Sequence, residues 1–149
     1  MRLTFTKRRG KTDDLAIRRD GADEGVETIT CPKQGIIPHD MVHYAVESVL
    51  CHRGFLSRVA AGDAMAYTMR GDDAGEAVER LVETFQAEMW GGRVPVADLL
   101  ATYAHACAAR GHAVAPVSPD DIAAIRACLD DLTARWAAVP VGGALDLML

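Results

Sequence analysis

The sequence predicts an α+β fold, in which a three-stranded antiparallel sheet is followed by four or five helices that cover one of its faces. Hydrophobic and polar residues alternate in three short segments within residues 1–31, and hydrophobic residues recur at helical spacing through residues 38–138. The chain has 149 residues, of which 50% are hydrophobic and 5% aromatic. This is the size and composition of one soluble domain, so intrinsic disorder is excluded.

The three strands are predicted from two-residue periodicity. The segments are 2–6, 15–19 and 26–31. In the first segment Leu3 and Phe5 share one face, and in the second Leu15 and Ile17 do so. Because turn-forming residues separate the segments, the strands are expected to form an antiparallel meander with one apolar face.

The helices are predicted from hydrophobic spacing and from residues that start or stop a helix. The first runs from His39, just after Pro38, to about residue 51. The others are predicted at about 55–61, 73–90, 96–110 and 119–138. The last begins with a capping box, in which Ser118 is the N-cap and Asp121 its partner. Residues 139–149 form an apolar tail that is expected to dock on the domain or on a second copy of the chain, as in a homodimer.

Charge and cysteine content exclude several partners and locations. The net charge of −5 argues against nucleic acid as a partner. Residues 1–20 contain seven basic and three acidic side chains, and this local excess of positive charge is expected of a hairpin whose outer face is solvated. No apolar run reaches the about 18 residues of a membrane span, and no apolar leader segment is seen. The four cysteines include no CxxC pair, so free thiols and a cytoplasmic location are expected.

One segment, KQGIIPHDMVHYAVE at 33–47, concentrates ionisable side chains. His39 and His43 are four residues apart, the spacing by which a helix presents two imidazoles to one metal ion. The sequence therefore predicts that both histidines bind a divalent metal, with zinc as the best match. If the protein is a metal-dependent hydrolase, Asp40 and Glu47 are the candidates for acid–base catalysis, and its small-molecule substrate is not indicated.

The third metal ligand is predicted to come from outside the first helix. Glu47 lies eight residues beyond His39, a rise of about 12 Å along a helix, which is too far for both to hold one ion. Glu47 is therefore expected to orient His43. The candidates for the third ligand are His52, His105, His112 and an acidic residue of segment 72–76.

Two other interpretations of the same residues stay open. The cluster can carry out acid–base chemistry without a metal. Alternatively it is structural, with Asp40 near the positive end of the helix and His43 and Glu47 forming an ordinary pair on a non-catalytic, homodimeric interaction module. An enzyme requires a cleft at His43, whereas an interaction module requires only that His43 and Glu47 form a hydrogen-bonded surface pair.

Two resemblances bear on this segment. His39-Asp40-x-x-His43 resembles, over five residues, the HExxH motif of zinc metallopeptidases, with aspartate where those enzymes have the glutamate base. KQG at 33–35 and PHD-x-x-HY-x-VE at 38–47 resemble a small family of uncharacterised bacterial proteins, in a likeness that covers roughly residues 1–62. The family resemblance implies a strand meander followed by a helix that opens with this motif, and it implies no established reaction.

Overall fold

The computed structural model of the chain describes residues 1–19, 25–33, 35–50, 55–62 and 73–149. In these ranges the chain forms an α+β fold with four strands and five helices. They are β1 (Arg2–Thr6), β2 (Thr12–Arg18), β3 (Val26–Pro32), α1 (His39–Leu50), α2 (Phe55–Ala60), α3 (Asp73–Gly91), α4 (Val96–Arg110), α5 (Pro119–Ala138) and β4 (Ala144–Met148). No helix in the described ranges combines the length and hydrophobicity that a membrane crossing requires.

The sheet is a single antiparallel layer with the strand order β3-β2-β1-β4. Its register places Leu3 opposite Ile17 and Phe5 opposite Leu15, and each of these side chains is at most 1% exposed. The predicted meander and its apolar face are therefore confirmed, because successive side chains of a strand point to opposite faces.

The sheet has four strands where the sequence predicts three. The additional strand, β4, comes from the apolar tail and pairs with β1, so that Leu147 lies opposite Leu3 and Leu145 opposite Phe5. The prediction is wrong here because the partner of β4 lies at the far end of the chain, and local periodicity carries no signal for pairing over such a distance. Leu147 is 3% exposed, so the tail docks on its own domain. A homodimer through the tail stays a prediction, and it would use the outer edge of β4.

All five predicted helices are present. α1 contacts β3, α2, α3 and α5, so it is enclosed on several sides. Its apolar residues Met41, Val42, Ala45 and Val46 are at most 1% exposed. Two polar residues of α1, His43 and Glu47, are buried together with them.

α5 begins at the predicted capping box. The Asp121 N–H donates to Ser118 Oγ at 3.1 Å, and the Ser118 N–H donates to Asp121 Oδ2 at 2.8 Å. Ser118 is exposed and Asp121 is half-buried, and the buried seam of the helix follows them. The seam consists of Ile122, Ile125, Leu129, Leu132 and Trp136.

Replacing Ser118 with alanine is expected to lower the free energy of unfolding by about 1 kcal/mol, because an N–H group of the first turn of α5 loses its acceptor. Urea denaturation measures this change. Ser118→Thr, which keeps the hydroxyl, should lose much less. Equal losses in the two variants would show that the cap contributes nothing.

Candidate metal centre

α1 positions the predicted histidines and Glu47 along one side. The Met41 N–H donates to the Pro38 carbonyl at 3.0 Å, so the helix begins where the sequence predicts. His43 and Glu47 are only 3% and 1% exposed. They are deeply buried because α2 and α3 both lie against this side of α1.

Three electron-rich side chains converge at one point between α1 and α3. His43 Nε2 lies 3.1 Å from His39 Nε2 and 3.2 Å from Glu79 Oε2, and His39 Nε2 lies 3.6 Å from Glu79 Oε1. Two ligand atoms bound at 2.0–2.1 Å to a tetrahedral zinc ion are about 3.3 Å apart. The three residues therefore form a group that can hold a metal ion.

The second nitrogen of each imidazole faces an acceptor. His39 Nδ1 lies 3.1 Å from Gln86 Oε1, and His43 Nδ1 lies 3.3 Å from Glu47 Oε1. Because these oxygens accept hydrogen bonds, the neutral form of each imidazole carries its hydrogen on Nδ1 and presents the lone pair of Nε2 to the centre. The two rings are inclined at 80° with centroids 4.8 Å apart, so the lone pairs approach from different directions.

The electrostatics of the centre favour a positive charge. Burial of the His43 ring lowers its pKa, but hydrogen bonds to Glu47 and Glu79 outweigh burial and raise the pKa to about 10. Burial likewise raises the pKa of Glu79, but hydrogen bonds from His39 and His43 hold that pKa well below its ordinary value of 4.5. A proton on His43 and a metal cation would satisfy the same negative environment, so the two compete for it.

The centre is open to solvent on one side. The side chains of His39 and Glu79 are 25% and 33% exposed, whereas that of His43 is 4% exposed. Catalytic zinc sites have three protein ligands and one position left for water or substrate, whereas structural zinc sites are closed by four protein ligands. Among the described residues the centre has three candidate ligands and one partly exposed side.

The structure brings three of the sequence-predicted site residues together and not the fourth. His39 and His43 face one another, and Glu47 lies behind His43, where the sequence places an orienting group. The carboxylate of Asp40 accepts from the Cys31 thiol at 2.9 Å, so it lies against β3 and does not join the group. Burial, followed by the charge of Asp40, raises the pKa of the Cys31 thiol far above 9.0, which keeps the thiol protonated as the donor.

The predicted candidates for the third ligand do not lie at the centre in the part of the chain that the structure describes. His112 Nε2 lies 3.5 Å from Glu76 Oε2, and both belong to a separate contact between α3 and the segment after α4. His105 is exposed on α4. His52 lies outside the described residues.

The third member of the group is Glu79, one helical turn beyond the segment 72–76 in which an acidic ligand is predicted. Glu79 and Gln86 are seven residues apart on α3, which places both on the face toward α1. Each contacts a histidine of α1 from that face. This seven-residue spacing of polar residues is the sequence signal, but it acquires meaning only once α3 is known to pack against α1.

Comparisons with known proteins identify no family for this chain. Searches of protein-family models, curated proteins and solved structures give no match. The resemblance of segment 33–47 to a bacterial family therefore stays a prediction. The function proposed for this chain therefore rests on the geometry of the centre.

Proposed function

We propose that this protein binds one divalent transition-metal ion, with zinc as the best match, at His39, His43 and Glu79, and that it is a metal-dependent hydrolase. The observation that supports metal binding is the convergence of two imidazole lone pairs and one carboxylate, with each imidazole oriented by an acceptor behind it. Neutral imidazole and carboxylate are ordinary zinc ligands, and their separations match those in a tetrahedral site.

Hydrolysis is proposed because the centre has an accessible side. A zinc ion with an open position lowers the pKa of bound water and polarises carbonyl or phosphoryl oxygens. A substrate would approach from the side on which His39 and Glu79 are partly exposed, while Gln86 and Glu47 orient the imidazoles. Asp40, whose carboxylate is engaged by Cys31, has no part in this proposal.

Elemental analysis of protein purified without an affinity tag tests metal binding. We expect about one zinc per chain in the unaltered protein and almost none in His43→Ala, since the variant lacks a ligand. His39→Ala removes a more exposed ligand and serves if the buried substitution prevents folding. His105→Ala, at an exposed histidine of α4, is the matched control and should keep its metal. Absence of zinc from every sample, also after zinc is added, would disprove the proposal.

Hydrolysis is tested with the zinc-loaded protein and two chromogenic probes, p-nitrophenyl acetate and p-nitrophenyl phosphate. Faster release of p-nitrophenol from either probe than in zinc-treated His39→Ala would support a hydrolase. If the unaltered protein and His39→Ala release p-nitrophenol at equal rates from each probe, the hydrolase part of the proposal is disproved and the metal site is unaffected.

A structural role for the cluster is the second candidate function. The raised pKa of His43 supports it, because an imidazolium between Glu47 and Glu79 makes a satisfied buried ion-pair network without any metal. A non-catalytic interaction module needs no more than this. The elemental analysis separates the candidates, since a structural network leaves the protein free of metal.

A cytosolic location is part of the same proposal. Cys31, Cys107 and Cys128 are free, and the first two are at most 1% exposed. Buried free thiols are typical of proteins in reducing compartments. A reducing cytosol also keeps them from forming disulfides that would distort the core.

A further inference from the structure

Glu47 connects the proposed metal centre to α2. Its side chain is 0% exposed. Oε1 accepts from the Leu56 N–H at 3.1 Å, and Oε2 accepts from the N–H and the hydroxyl of Ser57, each at 2.7 Å. His43 Nδ1 lies 3.3 Å from Oε1 and completes the set. Among the described residues, three of the four groups that contact this carboxylate therefore belong to α2.

These contacts fix the tautomer of His43. The two N–H groups and the hydroxyl are donors, so the oxygens of Glu47 act as acceptors toward the imidazole as well. The neutral imidazole that binds a metal accordingly has its hydrogen on Nδ1 and its lone pair on Nε2, the atom that faces His39 and Glu79. Without the Ser57 hydroxyl the carboxylate keeps only the two backbone N–H donors of α2 and is held less firmly against His43.

The same contacts hold α2 in place. α2 has six residues, which is too short to be stable alone, and the first N–H groups of a helix have no partner within it. Glu47 accepts two of these N–H groups. At the other end, Arg19 Nε donates to the Val59 carbonyl at 2.8 Å, while Leu56 and Val59 are 0% exposed. α2 is thus held at both ends, and one of these ends is the group that orients a metal ligand.

We propose that Ser57 is a positioning residue of the metal centre: through Glu47 it holds His43 in the orientation that binds the metal, so that metal affinity and the docking of α2 depend on each other. The inference rests on the metal binding proposed above. Coupling between two binding equilibria is reciprocal, so metal binding must stabilise α2 as much as docked α2 favours the metal. Loss of a partner behind a metal ligand typically costs 10–100-fold in affinity.

The test measures zinc affinity by competition with a chromophoric chelator, and amide hydrogen exchange at Leu56 and Ser57 with and without zinc. Ser57→Ala is expected to bind zinc about tenfold more weakly than the unaltered protein. Ser57→Thr, which keeps the hydroxyl, should restore most of the affinity. Zinc should slow exchange of both amides in the unaltered protein. Arg19→Gln, which releases the other end of α2, should weaken zinc binding in the same direction and serves if Ser57→Ala does not fold.

Ser118→Ala is the matched control, because it removes a serine hydroxyl from the first turn of another helix. It should lower stability and leave zinc affinity unchanged, whereas a merely structural role of Ser57 would give the two variants the same unchanged affinity. Stoichiometric zinc binding with equal affinity in Ser57→Ala, together with unchanged exchange in α2, would overturn this inference and leave the metal site intact. An unaltered protein that binds no zinc would overturn both.

Discussion

Replacing Glu79 with glutamine is expected to weaken zinc binding by at least about 100-fold, because loss of a direct ligand should exceed the 10–100-fold cost of losing a group behind a ligand. Glutamine keeps the size of the side chain and removes the negative charge that His43 and His39 face at 3.2 and 3.6 Å. Competition with a chelator measures the change, and circular dichroism checks that the variant is folded.

Glu76→Gln is the matched control for this experiment. Glu76 lies one turn earlier on α3, its side chain is 33% exposed, as is that of Glu79, and it too faces a histidine, His112, at 3.5 Å. The two substitutions remove the same charge from equally exposed positions, so general effects of charge on α3 cancel. Equal zinc affinity in the two variants would show that Glu79 is not a ligand.

The fold could be predicted from the sequence wherever one segment carries its own periodicity. Leu3 and Phe5 report a buried strand face without reference to the rest of the chain, and Ser118 with Asp121 marks a helix start within four residues. β4 could not be predicted in this way. Its residues alternate as those of β1 do, but whether Leu147 meets Leu3 or another surface is decided by how the intervening helices bring the two ends of the chain together.

In the candidate site, too, the residues of one helix could be predicted from the sequence and those of other helices could not. His39, His43 and Glu47 belong to one helix, so their spacing of four residues predicts both their common side and the role of Glu47 behind His43. Glu79 and Gln86 come from another helix. α3 contains several acidic residues, and which of them faces α1 depends on the rotation and height of one helix against the other, which local pattern does not specify. Likewise, the contact between Ser57 and Glu47 depends on where a third helix, α2, packs.

The burial of the cluster also follows from packing rather than from pattern. Helical geometry places His43 and Glu47 at the border of the apolar face of α1. α2 then covers Glu47 through the Leu56 and Ser57 N–H groups, and α3 covers His43 through Glu79. A border position enclosed by two further helices becomes an interior one. The hydrogen bonds made there raise the pKa of His43 and lower that of Glu79 against the effect of burial.

In metal-free protein, stability is expected to fall as the pH rises above about 6.5. His43 has a pKa of about 10 in the folded chain against 6.5 ordinarily. Below pH 6.5 the folded and unfolded chains both carry the proton, so its stabilising effect is complete. Between pH 6.5 and 10 the unfolded chain releases the proton while the folded chain retains it, so the free energy of unfolding decreases with pH. Thermal denaturation in the presence of a chelator measures this slope.

Zinc is expected to cancel that slope, because it displaces the proton from His43. Zinc affinity should rise about tenfold per pH unit where one proton is released, so the zinc-dependent increase in Tm should be larger at pH 8.5 than at pH 6.5. This range stays below the ordinary thiol pKa of 9.0, so ionisation of cysteines in the unfolded chain contributes little. His39→Ala keeps His43 between its two carboxylates but lacks one ligand, and it should show the decline without the zinc-dependent gain. A zinc effect independent of pH would mean that the metal does not bind at His43.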